Sequence, residues 1–441
     1  MKKKSALDAL IIGFALFAMF FGAGNIILPP IIGLVSGGDW NFAVSGFSIT
    51  AILAPFLGII AVLISGDEFT DLGKRINSLL GWILATAIIL SIGPLVAIPR
   101  TAATTYEIGV LAIWPDFSPI ISSVIFFAIT LVLSISPSKV VNIIGSYLTP
   151  LLLLLLVSMV ILGIIKPIDT TALLERSNDD AFRLGFSEGY QTMDVLASVI
   201  YAGIIISAVK SKGYVKLEEK TKVTFMAGSV AIFCLLFIYG GLVYLGATSG
   251  YPIGEHLKRT ELLLHISNGV LGTQGTFALS LCIALACLTT AIALVCATGT
   301  FFSQLTKGFL SYRLVVTITC VSSAILAVNG VDSIIDYAAP FLGIIYPITL
   351  TLIIYMVAFG KRVKRRAPFV GAIITTAIVA LIQFSSFISL KYDFVDFSEK
   401  ASSFIKWLPM SSYDVPWLIP SLIAFVTVYV FDKFLFKQVN D

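Results

Sequence analysis

The sequence predicts an all-α integral membrane protein with twelve transmembrane helices. Three observations carry that prediction. The 441-residue chain is 58% hydrophobic and only 12% charged, more apolar surface than a water-soluble domain of this size can hide. Its mean hydropathy is +0.99. Its apolar residues gather into runs near the ~20 residues that a helix needs to cross a bilayer, and they do not alternate with polar residues as the strands of a membrane barrel do.

In chain order the runs lie near 6–35, 41–65, 78–113, 118–135, 140–165, 187–209, 223–247, 270–303, 314–329, 334–359, 368–390 and 416–436. The first is too long for a signal peptide and no small-residue cleavage site follows it, so it is expected to stay in the mature protein. It contains FFGAGNIILPP, with Gly22, Gly24 and Asn25 near its middle and Pro29 and Pro30 beyond. Glycine costs about 1 kcal/mol in a helix interior relative to alanine, so the helix is expected to unwind there. Backbone freed at that depth must line a cavity or meet a ligand. The second half-helix would present N–H groups and a positive dipole end to a carboxylate, and the first half would present carbonyls to a cation. The plainer reading, small residues that permit close helix packing, suffices for Gly22 and Gly24 alone. Asn25 and the prolines favour a site.

The third run, GPLVAIPRTAATTYEIG at 93–109, carries Arg100 and Glu107. Seven residues is two helical turns, so the two share a face. They are expected to gate or brace the protein, unless Arg100 only snorkels to the outer interface. The sixth run opens GFSEGYQTMDVLAS, and Gly185, Gly189 and Asp194 near its start mark a second break. Asp194 has two readings: an intramembrane carboxylate for a substrate amine or a proton, or the N-cap of the half-helix that follows. In the eighth run Thr289 and Thr290 sit deep among apolar residues. Each hydroxyl could bond a carbonyl one turn back, or both could face a hard monovalent cation.

The other chemistry-bearing residues are sparse. Cys234, Cys282, Cys287, Cys296 and Cys320 all fall inside runs and fit neither a disulfide frame nor a metal site. The two histidines, His256 and His265, are expected in one loop, which excludes a His-rich metal site. Asp332 and Asp336 are expected in a solvated outer loop.

Twelve spans put both termini on one side. Twenty of the 29 Lys and Arg fall on that side, so the positive-inside rule predicts cytoplasmic termini and a cell-membrane location. The basic loops KSKGYVKLEEKTK and GKRVKRRAP are topology signals and lipid contacts, and no nucleic-acid partner is needed to explain them. The longest connecting segments, 166–186, 248–269 and 391–415, are too short for a catalytic domain. With no H-E-x-x-H motif, and with GFSEG (185–189) opening a helical membrane run rather than forming a strand-to-helix nucleophile elbow, no enzyme and no cofactor are expected. With no pore loop or ring of like charges, a channel is disfavoured. Transport remains. The first five runs occupy about 6–165 and the next five about 185–359; five is odd, so the blocks would form inverted repeats, with two added helices at about 368–436.

FFGAGNIILPP, GPLVAIPRTAATTYEIG and EGYQTMDVLAS (188–198) resemble the branched-chain amino acid:cation symporter family, over nearly the whole chain. The resemblance implies a LeuT-type fold: a 5+5 inverted repeat plus two C-terminal helices, with helices 1 and 6 broken. It implies a secondary symporter that imports leucine, isoleucine or valine with sodium or a proton; the alternative is another small zwitterionic amino acid carried by the same fold. Gly22, Ala23, Gly24 and Asn25 match the break. The substrate carboxylate would lie on N–H groups near Ala23 and Gly24, and its amine near Tyr190, Thr192 and Asp194. One sodium would meet the carbonyls of Ala18, Phe21 and Ala286 and the hydroxyls of Thr289 and Thr290. A second ion would meet the Phe20 carbonyl and the Asn25 side chain.

Overall fold

The structure is a computed structural model, and it describes residues 2–66, 69–74, 76–111, 113–135, 149–169, 177–253, 258–391 and 395–437. The start of the fifth expected run (140–148), Lys139, Arg75 and His256 lie outside the described residues. Among the described residues the secondary structure is helical, with no strand. The helices are α1 (Lys2–Phe20), α2 (Ala23–Ser36), α3 (Trp40–Ser48), α4 (Ala54–Ser65), α5 (Phe69–Gly73), α6 (Ser78–Leu90), α7 (Ala97–Thr104), α8 (Pro119–Ser134), α9 (Thr149–Ile165), α10 (Asn178–Glu188), α11 (Asp194–Ser211), α12 (Leu217–Ala247), α13 (Arg259–Leu305), α14 (Tyr312–Ala327), α15 (Val331–Phe359), α16 (Ala367–Lys391), α17 (Val395–Trp407) and α18 (Leu418–Lys437).

Each expected run carries helix where it is described. Among the described residues seven stretches are long and apolar enough to cross a membrane: Ala23–Ser65, Leu79–Val110, Asp194–Ser211, Leu217–Ala247, Arg259–Leu305, Val331–Phe359 and Ala367–Ser389. Ser5–Phe20, Pro119–Ser134, Leu152–Ile165 and Tyr312–Ala327 are shorter apolar helices. Large apolar side chains such as Val132, Phe233 and Ile325 are about 70% exposed. Water would penalise so many of them, whereas lipid would not, and the protein is a multi-pass membrane protein.

The described parts of the connecting segments include helix. Helices α10, part of α13 and α17 occupy the stretches expected as loops. His265 therefore sits on a helix, with its Nε2 3.1 Å from the Ser249 carbonyl. Gly272, at φ 68°, bends α13 just beyond it. Asp332 lies in the first turn of α15 rather than in a loop and pairs with Arg259 at 2.6 Å, its side chain still 40% exposed.

The chain forms two compact units. The first comprises 1–53, 89–194 and 205–336. Here α1 and α2 both pack on α12. A side chain on Gly13 would meet the Ala227 carbonyl at 2.7 Å, and one on Gly33 or Gly246 would collide with the backbone of Val243 or Pro30. Gly46 and Gly185 bring α3 and α10 together in the same reciprocal way. Without a hydrophobic drive between helices in lipid, such backbone approach supplies the packing contacts. Phe17 stacks on Phe21 (ring centroids 5.2 Å apart), and Phe21 and Phe47 flank Tyr239 at 6.1 and 5.3 Å. The second unit comprises 54–88, 195–204 and 337–441. Its core is Phe425, ringed by Tyr355, Phe359 and Phe369, with Tyr355 Oη 3.0 Å from Ser421 Oγ.

Candidate functional site

The first interruption lies where the glycines are. Helix α1 ends at Phe20 and α2 begins at Ala23, with Gly22 extended at φ −104°, ψ −170°. In an unbroken helix the Gly22 N–H would bond the Ala18 carbonyl; here it bonds the Phe20 carbonyl at 2.8 Å, which releases Ala18. Gly22 has no side chain to cap α2, so the first N–H groups of α2 start the helix without an intrahelical partner. Residues 21–30, Pro29 and Pro30 included, are all buried, and both prolines lie inside α2.

The second interruption precedes α11. Gly189–Thr192 is a 3₁₀ turn and Met193 is left-handed at φ 62°. Thr192 Oγ1 donates to the Gly189 carbonyl at 2.9 Å and accepts the Asp194 N–H at 3.4 Å. Asp194 is thus the first helical residue and Met193 the cap, one position from the capping role expected. Gly189 is held against Thr50, and the Tyr190 ring meets Phe186 edge-on. Gly185 lies within α10, where it serves packing.

Two side chains join the interruptions. The Asn25 amide nitrogen donates to Asp194 Oδ2 and to Tyr239 Oη. Arg100 Nη1 donates to the Gln191 carbonyl at 2.8 Å. A Cβ added to Gly24 would lie 2.5 Å from Arg100 Nη2 and 2.9 Å from its Cζ, so the guanidinium rests directly on Gly24. Arg100 is 3% exposed and does not snorkel. Its placement follows from a third interruption: Gly93 is non-helical at ψ −121° beside Pro94, Val96 sits at φ −133°, and α7 restarts at Ala97.

Arg100 and Glu107 do not act together. Residues 105–110 form a π-helical turn, which shifts the register so that seven residues no longer make two whole turns. Glu107 accepts from Thr260 Oγ1 at 3.0 Å and from the Val331 N–H at 2.8 Å. It ties α13 to the start of α15, and no ion pair joins it to Arg100.

Of the predicted cation ligands, Thr289 donates to the Ala286 carbonyl at 2.8 Å, the back-bond expected of a membrane threonine. Thr290 Oγ1 is buried with no partner and lies 3.8 Å from where a Gly22 Cβ would be. The structure therefore brings Thr290 to the break at Gly22. The Phe20 carbonyl accepts from the Gly22 N–H, and the Asn25 amide nitrogen donates to Asp194 and Tyr239. Cys287 and Cys320 are buried free thiols and Cys234 and Cys296 half-buried ones. No His/Cys/Asp/Glu cluster suited to a metal occurs among the described residues.

Tyr239 is the site residue that sequence reasoning missed; Gln191 falls within the expected break at 190–194, but its carbonyl meets Arg100. Tyr239 reads as one more aromatic in FCLLFIYGGLVYLGA. The available signal was its hydroxyl, which needs a partner at that depth.

A family model described as "Branched-chain amino acid transport protein" matches residues 5–435. The chain is 36% identical to the branched-chain amino acid permease BraB of Bacillus subtilis (strain 168), across 98% of each chain. It is 33% identical to BrnQ of the same organism, across 99% of each. Among solved structures it resembles Mhp1, a nucleobase-cation-symport-1 family transporter, with bromovinylhydantoin bound (TM-score 0.62, 15% identity, 96% of this chain and 92% of that one). It also resembles MhsT in complex with L-phenylalanine (TM-score 0.57, 15% identity, 95% and 98%). At that identity the structural likeness speaks for the fold. The full-length family match speaks for descent: the chain belongs to the branched-chain amino acid transport protein family.

Proposed function

We propose that the protein is a secondary active symporter that imports leucine, isoleucine or valine across the cytoplasmic membrane, with both termini in the cytoplasm. It crosses twelve times in a LeuT-type arrangement. Residues 6–165 and 185–359 form inverted repeats and 368–436 adds two helices. The interruptions at Phe21–Gly22 and Gly189–Met193 are the broken first and sixth helices, and the repeats rock about them in alternating access. Family membership, and relatives named branched-chain amino acid permeases, support the substrate class. The observation that carries the site is the pairing of the two interruptions through Asn25–Asp194 and Arg100–Gln191.

Each part of the substrate has a counterpart. The uncapped start of α2 at Ala23 and Gly24 offers N–H groups and a positive dipole end to the carboxylate. The turn at Tyr190–Asp194 offers polar groups to the amine. An aliphatic pocket would separate leucine from valine only weakly, because one methylene is worth about 1–3 kcal/mol. The coupling cation, sodium or a proton, is placed among the Ala18, Phe21 and Ala286 carbonyls and the Thr289 and Thr290 hydroxyls. The released Ala18 carbonyl and the orphaned Thr290 hydroxyl support sodium there, since a hard cation prefers oxygen ligands. A symporter structure described as Na+-coupled shares the fold (TM-score 0.56).

Uptake of labelled leucine into proteoliposomes under an imposed sodium or proton gradient tests the reading. Accumulation should follow one gradient and be competed by isoleucine and valine more strongly than by alanine. Uptake indifferent to both gradients would refute symport, and stronger competition by alanine would favour a different small zwitterion.

A further inference from the structure

The site holds one buried cation and one buried anion that do not neutralise each other directly. Arg100 is 3% exposed and Asp194 4%. They interact electrostatically, yet no hydrogen bond or ion pair joins them. Each is held by a neutral partner instead, Arg100 by the Gln191 carbonyl and Asp194 by the Asn25 amide. Arg100 Nε is also buried with no partner at all. An unmade donor on a buried charge is costly, and a transporter tolerates that cost where cargo completes the bond. On the other side, a carboxylate has about four acceptor positions, so the bond from Asn25 leaves Asp194 room for an ammonium. The guanidinium rests on Gly24, beside the uncapped N–H groups of α2.

A positive pole at the first interruption and a negative pole at the second form the complement of an α-amino acid zwitterion. We infer that Arg100 and Asp194 are the two poles of the substrate receptor: the Arg100 guanidinium, with the N–H groups of Ala23 and Gly24, takes the carboxylate, and the Asp194 carboxylate takes the ammonium. This rests on the amino-acid reading above and adds to it a residue from the third run. It also changes the ion requirement. With the carboxylate neutralised by a resident guanidinium, no second cation is needed at Phe20 and Asn25.

The test is equilibrium binding to purified protein in lipid nanodiscs. Labelled leucine is competed by leucinamide, which keeps the ammonium and lacks the carboxylate, and by 4-methylpentanoate, which lacks the ammonium. The wild-type protein should reject both analogues by at least ~100-fold relative to leucine, because each leaves one buried charge unpaired. Arg100→Gln should weaken leucine about 100-fold while leaving leucinamide within about threefold. Asp194→Asn should do the reverse, sparing 4-methylpentanoate. Arg100→Lys retains the charge without the planar fork and should fall between wild type and Arg100→Gln; it also serves if the glutamine variant does not fold, as judged by thermal unfolding. Folded variants that weaken all three ligands equally, or that bind leucine as the wild type does, would overturn the inference. Failure of the wild-type protein to bind leucine at all would overturn the amino-acid reading beneath it.

Discussion

Gly24→Ala puts one methyl group between two interruptions. Helix propensity alone makes it stabilising, by up to about 1 kcal/mol. The geometry predicts the opposite sign. The new Cβ would lie 2.5 Å from Arg100 Nη2, 2.9 Å from Cζ and 3.2 Å from Nη1, so the guanidinium has to retreat by roughly an ångström to reach ordinary van der Waals separation. The bond from Nη1 to the Gln191 carbonyl, now 2.8 Å, would then exceed hydrogen-bonding length. A hydrogen bond to a charged group is worth about 1.5–3 kcal/mol, which outweighs the propensity gain. Leucine affinity should fall by about 10- to 100-fold, at 1.4 kcal/mol per decade, and thermal stability in detergent should drop rather than rise. Gly22→Ala is the internal control. Its Cβ would meet Thr290 at 3.5 Å, an ordinary contact, on a backbone at φ −104° that alanine adopts freely. Wild-type leucine binding together with raised stability in Gly24→Ala would refute the placement of Arg100.

Three further outcomes follow from the same geometry. Thr290→Ala should weaken the cation dependence of uptake more than Thr289→Ala does, because the Thr289 hydroxyl is committed to the Ala286 carbonyl and that of Thr290 is not; sodium and proton titrations of uptake unchanged in the double variant would sink the ion site. Asn25→Leu removes the donor to buried Asp194 and to Tyr239 and should destabilise the protein by about 1.5–3 kcal/mol, seen as a lowered midpoint of thermal unfolding; an unchanged midpoint would show that the bond carries no weight. Glu107→Ala strips the cap from α15 and the partner from Thr260 and should cost about 1–2 kcal/mol of stability with little change in leucine affinity. A large affinity loss at constant stability would place Glu107 in the substrate path after all.

Membrane helices announce themselves through sheer apolar length, so the helical class and the places of the runs are legible in the sequence. The interruption at Gly22–Asn25 was legible too, because two glycines and a primary amide cannot be explained together by packing alone. What the sequence hid depends on register and on distant neighbours. The place of Arg100 in its run does not decide between bracing and snorkelling; the stop at Gly93–Val96 and the restart at Ala97 carry it inward onto Gly24. Glu107 looked like its companion because seven residues suggest two α turns, and the π-helical turn falsifies that count. Tyr239 was hidden because an aromatic in an apolar helix is the commonest of patterns, and its role emerges only when Asn25, more than two hundred residues earlier, arrives at its hydroxyl.

The π-helical turn at 105–110 has one more consequence. It behaves as a single extra residue spliced into the helix, and one residue of α-helix corresponds to a rotation of about 100°. A one-residue deletion there would leave Arg100 seated on Gly24, since α7 lies before the splice, and would swing Glu107 away from Thr260 and Val331. The third run thus contains a mechanical joint: what grips at the interruption and what clamps α13 to α15 are set at angles independent of each other, and evolution is free to retune one without disturbing the other.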